Sequence, residues 1–218
     1  MESKYLPCPQ CGAPAARIGQ GPAHDAGGAG PAGAVRLETE RLVLREFGSR
    51  DWPRLYAIES DPEAVRYQSF GPRTPDECRA YIRLCARDRA ARPRRVYDLA
   101  VALRPDGPVI GRCGLKLTGA EPGEATLWYM VDRARWGHGY APEAARALLD
   151  FGFSALGVHR VWADCDPANA ASIRVLEKLG MRREGHLVEN AWINSAWADS
   201  LLYAILDREW RRALHPQR

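Results

Sequence analysis

The chain has 218 residues, 46% of them hydrophobic and 27% charged, with a formal charge of +4 at pH 7. That balance is ordinary for a soluble globular enzyme of one domain, and the mild basic excess is spread too widely to mark a nucleic-acid binder. No apolar run approaches the roughly 18 residues needed to cross a bilayer and no leader-like apolar segment opens the chain, so membrane partners are excluded and a cytoplasmic protein is expected.

Residues 1–34 begin with PCPQCG, where Cys8 and Cys11 form a C-x-x-C, and end in GQGPAHDAGGAGPAGA, which has almost nothing to bury. This reads as a flexible N-terminal extension. Cys78, Cys85, Cys113 and Cys165 supply no second C-x-x-C, so four zinc ligands are not assembled and no metal is expected, although His24 or a second chain would complete such a site. A zinc-dependent nucleic-acid adaptor is disfavoured on the same ground.

The folded domain is expected over 35–211, with 212–218 as a tail. RLETERLVLREF places Leu37, Leu42 and Leu44 among polar residues as a strand, and SRDWPRLYAIES then offers Ser49 or Asp51 as cap of a helix whose buried stripe is Trp52, Leu55, Tyr56 and Ile58. TPDE at Thr74–Glu77 is a capping box with proline at the first helical position. The basic run RPRR at 92–95 reads as a solvated loop or helix end, because no aromatic residues interleave with it. Tyr97, Leu99, Val101 and Leu103 then alternate up to a Pro105-Asp106-Gly107 turn, and VIGRCGLKL returns as the second arm of an antiparallel hairpin.

A further strand, ATLWYMV, leads into RWGHGYAPEAARALLDFGF. Gly137 and Gly139 flank His138 just before Ala144, Ala147, Leu148 and Phe151 recur at helical spacing, which makes a glycine turn feeding a helix N-terminus. Such a turn presents unpaired N–H groups and a positive dipole end to an anion. HRVWADC reads as a strand, NAASIRVLEKLG as a helix closed by Gly180, and MRREGHLVENAWI and DSLLYAIL as two last strands. The order describes an α/β (α+β mixed) domain around a largely antiparallel sheet of about six to seven strands with about four helices.

This order, with WGHGYAPEA after one sheet strand and NAASIRVLEKLGMRREG after the next, resembles the GNAT superfamily of acyl-CoA-dependent N-acetyltransferases, and within it the RimJ/RimL-like branch. The resemblance covers residues 35–211. It implies a GNAT-like fold in which splayed strands form an acyl-CoA wedge, with acetyl-CoA as co-substrate and a primary amine as acceptor. In the family the glycine turn cradles the CoA pyrophosphate, behind a Gln or Arg that is Ala134 here, so that side-chain contact is either lost or supplied by Arg135 or His138, while the N–H cradle depends only on backbone shape. The resemblance implies a cofactor site formed by Met130, Val131, Arg135, Trp136, Gly137, His138, Gly139, Tyr140, Ala141, Asn169 and Ser172. A nicotinamide dinucleotide is disfavoured, because the turn lacks a full G-x-G-x-x-G and follows a hairpin.

The acceptor is expected to be a protein N-terminal α-amine or a small-molecule amine. Alternatives are antibiotic or metabolite acetylation and a CoA-binding sensor without catalysis, and homodimerisation is left open. The family's Tyr seven residues after the Asn is Leu176 here, which leaves Ser172 as the acid at the departing thiolate. The family's Glu in the strand before the turn is Thr126, which leaves Glu124 as the base, with Glu189 and Asp199 in reserve. Three of these roles have bland counterparts: Asn169 as a plain helix cap, Ser172 as a helix-face hydroxyl and Glu124 as a solvated carboxylate. Trp128, Trp192 and Trp197 are expected to wall an acceptor groove or to pack the sheet.

Overall fold

A computed structural model describes residues 33–118, 123–193 and 196–214. The two cysteines of the C-x-x-C and the glycine-rich segment up to residue 32 lie outside the described residues. The segment read as one strand is two: β1 (Arg36–Glu38) and β2 (Leu42–Glu46) form an antiparallel hairpin, Leu37 opposite Leu44. The reversal is made by Thr39, whose hydroxyl accepts from the Leu42 N–H at 2.9 Å. Leu37 and Leu42 are an odd number of residues apart, so an unbroken strand would have sent them to opposite faces.

Three helices follow: α1 (Trp52–Glu59), α2 (Pro62–Val65) and α3 (Pro75–Ala90). Asp51 stands at the start of α1, but its carboxylate turns back to accept from the Gly48 N–H at 2.7 Å and from Arg45. The capping box of α3 is present, with Thr74 accepting from the Glu77 N–H and Glu77 reaching back to the Thr74 N–H. β3 (Val96–Leu103), β4 (Val109–Thr118) and β5 (Glu124–Val131) form an antiparallel meander. A single 3₁₀ turn, Arg133–Arg135, leads to α4 (Tyr140–Ser154), then β6 (Arg160–Cys165), α5 (Ala170–Lys178), β7 (Arg182–Ile193), β8 (Ala196–Leu206) and α6 (Asp207–Leu214).

The eight strands make one sheet in the order β1-β2-β3-β4-β5-β6-β8-β7, antiparallel throughout except between β5 and β6. The fold class expected from the sequence is therefore found, with eight strands and six helices among the described residues. The excess comes from the β1/β2 split and from α2 and α6, whose short spans carry too few periods to be read as helices in sequence.

The sheet has two covered faces. On one, α4 and α5 pack Leu148, Leu149 and Leu176 over Leu99, Leu115, Leu127, Val161 and Cys165. On the other, α1 and α3 pack Leu55, Ile82 and Cys85 over Ala100 and Ala102, and α1 and α2 close Ile58 and Val65 over Met130. That second face also encloses an ionic network. Arg112, 3% exposed, donates from Nε to Glu59 at 2.7 Å and from Nη1 to the Tyr81 hydroxyl at 2.8 Å, and it pairs with Asp98 at 3.2 Å. Arg73 lies 3.0 Å from the other Glu59 oxygen and stacks on Phe70 and Tyr81, which fixes the end of the loop carrying Tyr67 and Gln68. Removing one partner from such a buried cluster typically costs about 3–5 kcal/mol, because it strands the others without compensation. The basic run at 92–95 is no open patch: Arg94 is buried and pairs with Glu46 at 2.7 Å.

Candidate active site

The site begins where the sheet comes apart. The parallel ladder of β5 and β6 comprises Glu124↔Arg160, Ala125↔Val161 and Thr126↔Trp162, and ends there. Beyond it β5 stays paired with β4 as far as Val131, and β6 stays paired with β8 as far as Cys165. The two strands diverge, and between them opens a cleft of about 510 Å³ walled by Leu127–Val131 and Ala163–Cys165.

The free edge of β5 has a defined polarity. The Asp132 N–H donates to the Ile110 carbonyl of β4 at 2.7 Å. By strand alternation the main-chain groups of Trp128 and Met130 also face β4, while those of Tyr129 and Val131 face the cleft. The Val131 carbonyl is taken by the Trp136 indole N–H at 2.8 Å. Met130 lines the cleft, but the amides offered on the open edge belong to Tyr129 and Val131.

At the C-terminal end of β5 the glycine turn takes the expected shape, with Gly137 at φ +78° and Gly139 at φ +79°. A Cβ at Gly137 would meet nothing within 4 Å, and one at Gly139 would lie 3.5 Å from Arg41 Nη2. Glycine is needed here for left-handed backbone and not for room. The turn is strapped from outside: Arg41 donates to the His138 carbonyl at 2.9 Å and through Nε to Glu143 at 2.7 Å, while the Thr39 hydroxyl donates to the same carboxylate at 2.6 Å. Burial alone would raise the Glu143 carboxyl, yet the hydrogen bonds from Thr39 and Arg41 hold it below the usual range. Bare amides at the start of a 15-residue helix, with Arg135, Arg174 and Lys178 also lining the cleft, suit a polyanion such as the phosphates of CoA.

Further in, Asn169 caps α5, its Oδ1 accepting from the Ser172 N–H at 3.0 Å. The Ser172 hydroxyl is hydrogen-bonded to the Tyr129 hydroxyl at 2.8 Å, a bond from the opened strand to the helix across the α4/α5 face. Burial pushes the Tyr129 phenol well above its ordinary value, so it stays a proton donor. Burial also pushes the neighbouring Cys165 thiol up to about 12, which keeps it neutral and unsuited to act as a nucleophile.

The cleft brings together Met130, Val131, Arg135, Trp136, Gly137, Gly139, Tyr140, Ala141, Asn169 and Ser172. His138 is not among its walls. Its Nδ1 sits 2.8 Å from the Trp136 carbonyl and its ring stacks on Tyr140, outside the cleft. Glu124, the expected base, is not among the cleft walls: it stands at the closed end of the ladder beside Arg160, 3.4 Å from its guanidinium, four residues or about 13 Å below the level of Asp164. Glu189 lies in a bulge at φ +46° outside the lining, and Asp199 lines the cleft but is held by His186 at 2.6 Å and the Glu189 N–H at 2.8 Å. Trp128 packs over Gly114, where a Cβ would fall 2.1 Å from its ring, whereas Trp192 and Trp197 pair edge to face on the exposed hairpin and are not among the described residues that line this cleft. Tyr129 and Asp164 are cleft residues that the sequence reading missed. The only signal was a polar residue interrupting each apolar strand.

Residues 41–182 match the family model described as an acetyltransferase (GNAT) domain. An uncharacterized N-acetyltransferase of Bacillus subtilis (strain 168), YnaD, is 33% identical over 177 residues, covering 81% of this chain and 99% of that protein. Among solved structures, a GNAT-family acetyltransferase from Bacillus anthracis superposes with a TM-score of 0.72 at 30% identity, over 80% of this chain and all of that one. Mycobacterium smegmatis RimJ, solved in complex with CoA-disulfide, superposes with a TM-score of 0.67 at 27% identity, over 84% of this chain and 89% of that one. With its opened β5/β6 pair, its glycine turn and these matches, the chain belongs to the GNAT acetyltransferase family and is an acyltransferase.

Proposed function

We propose that this protein transfers the acetyl group of acetyl-CoA to a primary amine, a protein N-terminal α-amine or a small-molecule amine, as a RimJ/RimL-like enzyme of the cytoplasm. The observation that carries this reading is the open β5 edge leading directly from the glycine turn to the Tyr129–Ser172 pair. The CoA-disulfide complex of the relative RimJ supports the donor assignment.

Acetyl-CoA supplies an activated thioester. The amides of Gly137 to Ala141 and the cations at Arg135, Arg174 and Lys178 hold its phosphates, and the edge of β5 pairs with its pantetheine amides. An N–H at Tyr129 or Val131 faces the space where charge develops on the thioester oxygen, and such a donor is typically worth about 3–4 kcal/mol. Ser172, its hydroxyl set by Tyr129, hydrogen-bonds the departing sulfur. A thiol of pKa about 8.5 leaves with little help, so this contact is an aid and not the main source of rate. Confining thioester and amine together in the cleft supplies a larger share.

The acceptor approaches from the α1/α2 face, where Glu63, Ala64, Tyr67 and Gln68 line the cleft. The Tyr67 hydroxyl donates to the Ala168 carbonyl at 3.2 Å and so bridges this wall to the start of α5. Thiol release from acetyl-CoA, measured against peptides with free α-amines and against small amines, tests the reading and ranks the two acceptor classes.

A further inference from the structure

The proposed transfer needs a group that removes a proton from the acceptor, and neither Glu124 nor Thr126 supplies it. Thr126 is a buried hydroxyl, its Oγ1 3.4 Å from the Lys116 carbonyl. Four carboxylates line the cleft: Glu63, Asp164, Asp166 and Asp199. Three of them have partners. Asp199 is bound by His186 and the Glu189 N–H, Asp166 accepts from the Ala168 N–H at 2.7 Å, and Glu63 faces Arg66 at 3.9 Å on the surface.

Asp164 differs from them in that only its own backbone N–H opposes the effect of burial on its carboxyl, with no side chain and no neighbouring residue doing so. It sits on β6 between Ala163 and Cys165, both of which face the α4/α5 core, so its side chain belongs to the opposite face, with Trp162. Parallel partners share a face, which puts Asp164 on the side of Thr126 and Trp128, two residues beyond the last β5/β6 rung and therefore just inside the opened wedge. Its neighbours on that face are Thr126, Trp128 and Met130 of β5 and Ser200 and Leu202 of β8, none of them ionisable. Across the cleft the titratable and charged groups on the α2 wall are Glu63, Arg66 and Tyr67. Among the described residues no basic side chain makes an ion pair with Asp164, and burial raises its carboxyl above the usual range with no opposing charge. Asp164 is half-buried, and a carboxylate drawn out of water without a counter-charge is costly unless something cationic visits it.

We infer that Asp164 is the catalytic base, receiving the acceptor's ammonium group as its missing counter-charge and taking a proton from it. This rests on the acetyltransferase reading above. The ammonium gives one proton to an Asp164 carboxylate oxygen, and the freed nitrogen pair forms the C–N bond to the thioester carbon. The C–S bond then breaks with its electron pair on sulfur. The second nitrogen proton restores the thiol by way of the Ser172 hydroxyl, and the proton on Asp164 returns to solvent. The amine thus meets the thioester from the α1/α2 face, while sulfur leaves toward Tyr129 and Ser172 on the other. A carboxyl whose value is raised toward neutrality is a better match to this task than an ordinary one.

The test uses the full chain, acetyl-CoA, and two acceptors: a peptide with a free α-amine and a short alkyl diamine. In the wild type, kcat/KM should fall as the pH drops through the raised Asp164 value. Asp164→Asn should lower kcat/KM by about 100-fold or more near neutral pH, in the range of lost general-base catalysis. Its deficit should shrink as pH rises and free amine becomes abundant, while CoA affinity by calorimetry stays within twofold. Formate added to Asp164→Ala should restore part of the rate, a readout that survives if the Asn variant folds poorly. A loss equal at every pH with no rescue by formate, or a variant within twofold of wild type, overturns the assignment while the acetyltransferase reading stands. Failure of the wild type to turn over either acceptor overturns both.

Discussion

Replacing Gly139 by Val asks whether the donor's phosphates rest on backbone shape at the glycine turn. Gly139 is at φ +79°, and its nearest prospective Cβ contact, Arg41 Nη2, is at an ordinary 3.5 Å, so the cost is conformational and not steric crowding. Left-handed backbone costs an L-residue about 1–2 kcal/mol, and more for a β-branched one. Valine therefore turns the peptide out of this conformation, and the amides that converge on the anion disperse. Losing one charge-assisted hydrogen bond costs about 1.5–3 kcal/mol, so CoA affinity should fall by roughly 10-fold to 150-fold. Gly157 provides the control. It has φ +65° with open space around it, in the turn after α4 and away from the cleft. Gly157→Ala should lower stability by about 1–2 kcal/mol and leave CoA affinity alone. Calorimetry with CoA, beside a thermal melt of each variant, separates the two effects. Unchanged CoA affinity in a folded Gly139→Val protein would refute the reasoning and move the anion elsewhere.

Ser172→Ala should lower kcat about 10-fold to 100-fold with little change in the acetyl-CoA KM, because the contact strengthens as charge builds on sulfur. Tyr129→Phe should cost less, and adding it to Ser172→Ala should cost under twofold more, since Tyr129 acts through that hydroxyl at 2.8 Å; additive losses in steady-state assays would show that it acts directly. The Glu143 strap should give a pH signature. Its carboxyl is held below the usual range, so its stabilisation is full above the unfolded value near 4.3 and is lost as the pH falls through the lower folded value. The melting-temperature advantage of wild type over Glu143→Gln should accordingly be constant near neutrality and vanish in acid; an advantage that persists below that window would mean the carboxylate's charge is irrelevant.

What the sequence made legible was local. The capping box at Thr74, the left-handed glycines at 137, 139 and 180, and Asn169 as cap of α5 each depend on residues within one turn of the chain. What it hid was register between distant segments. Glu124 and Asp164 are both acidic residues in apolar strands, and only the three-rung parallel ladder shows that one sits at the closed end and the other inside the opening. Tyr129 looked like an aromatic packing residue because its partner, Ser172, is 43 positions away. His138 stood in the right motif, yet its ring turned to Tyr140 because the two glycines beside it aim the backbone and not the side chain at the cleft.

The most direct measurement is release of free thiol from acetyl-CoA by the purified wild-type chain, with and without a primary amine. The opened β5/β6 wedge, with its phosphate cradle and the Ser172 hydroxyl, should give amine-dependent release, with the amine recovered one acetyl group heavier by mass spectrometry. Tight CoA binding without release on any α-amine or small amine would contradict the account and make the cleft a CoA receptor.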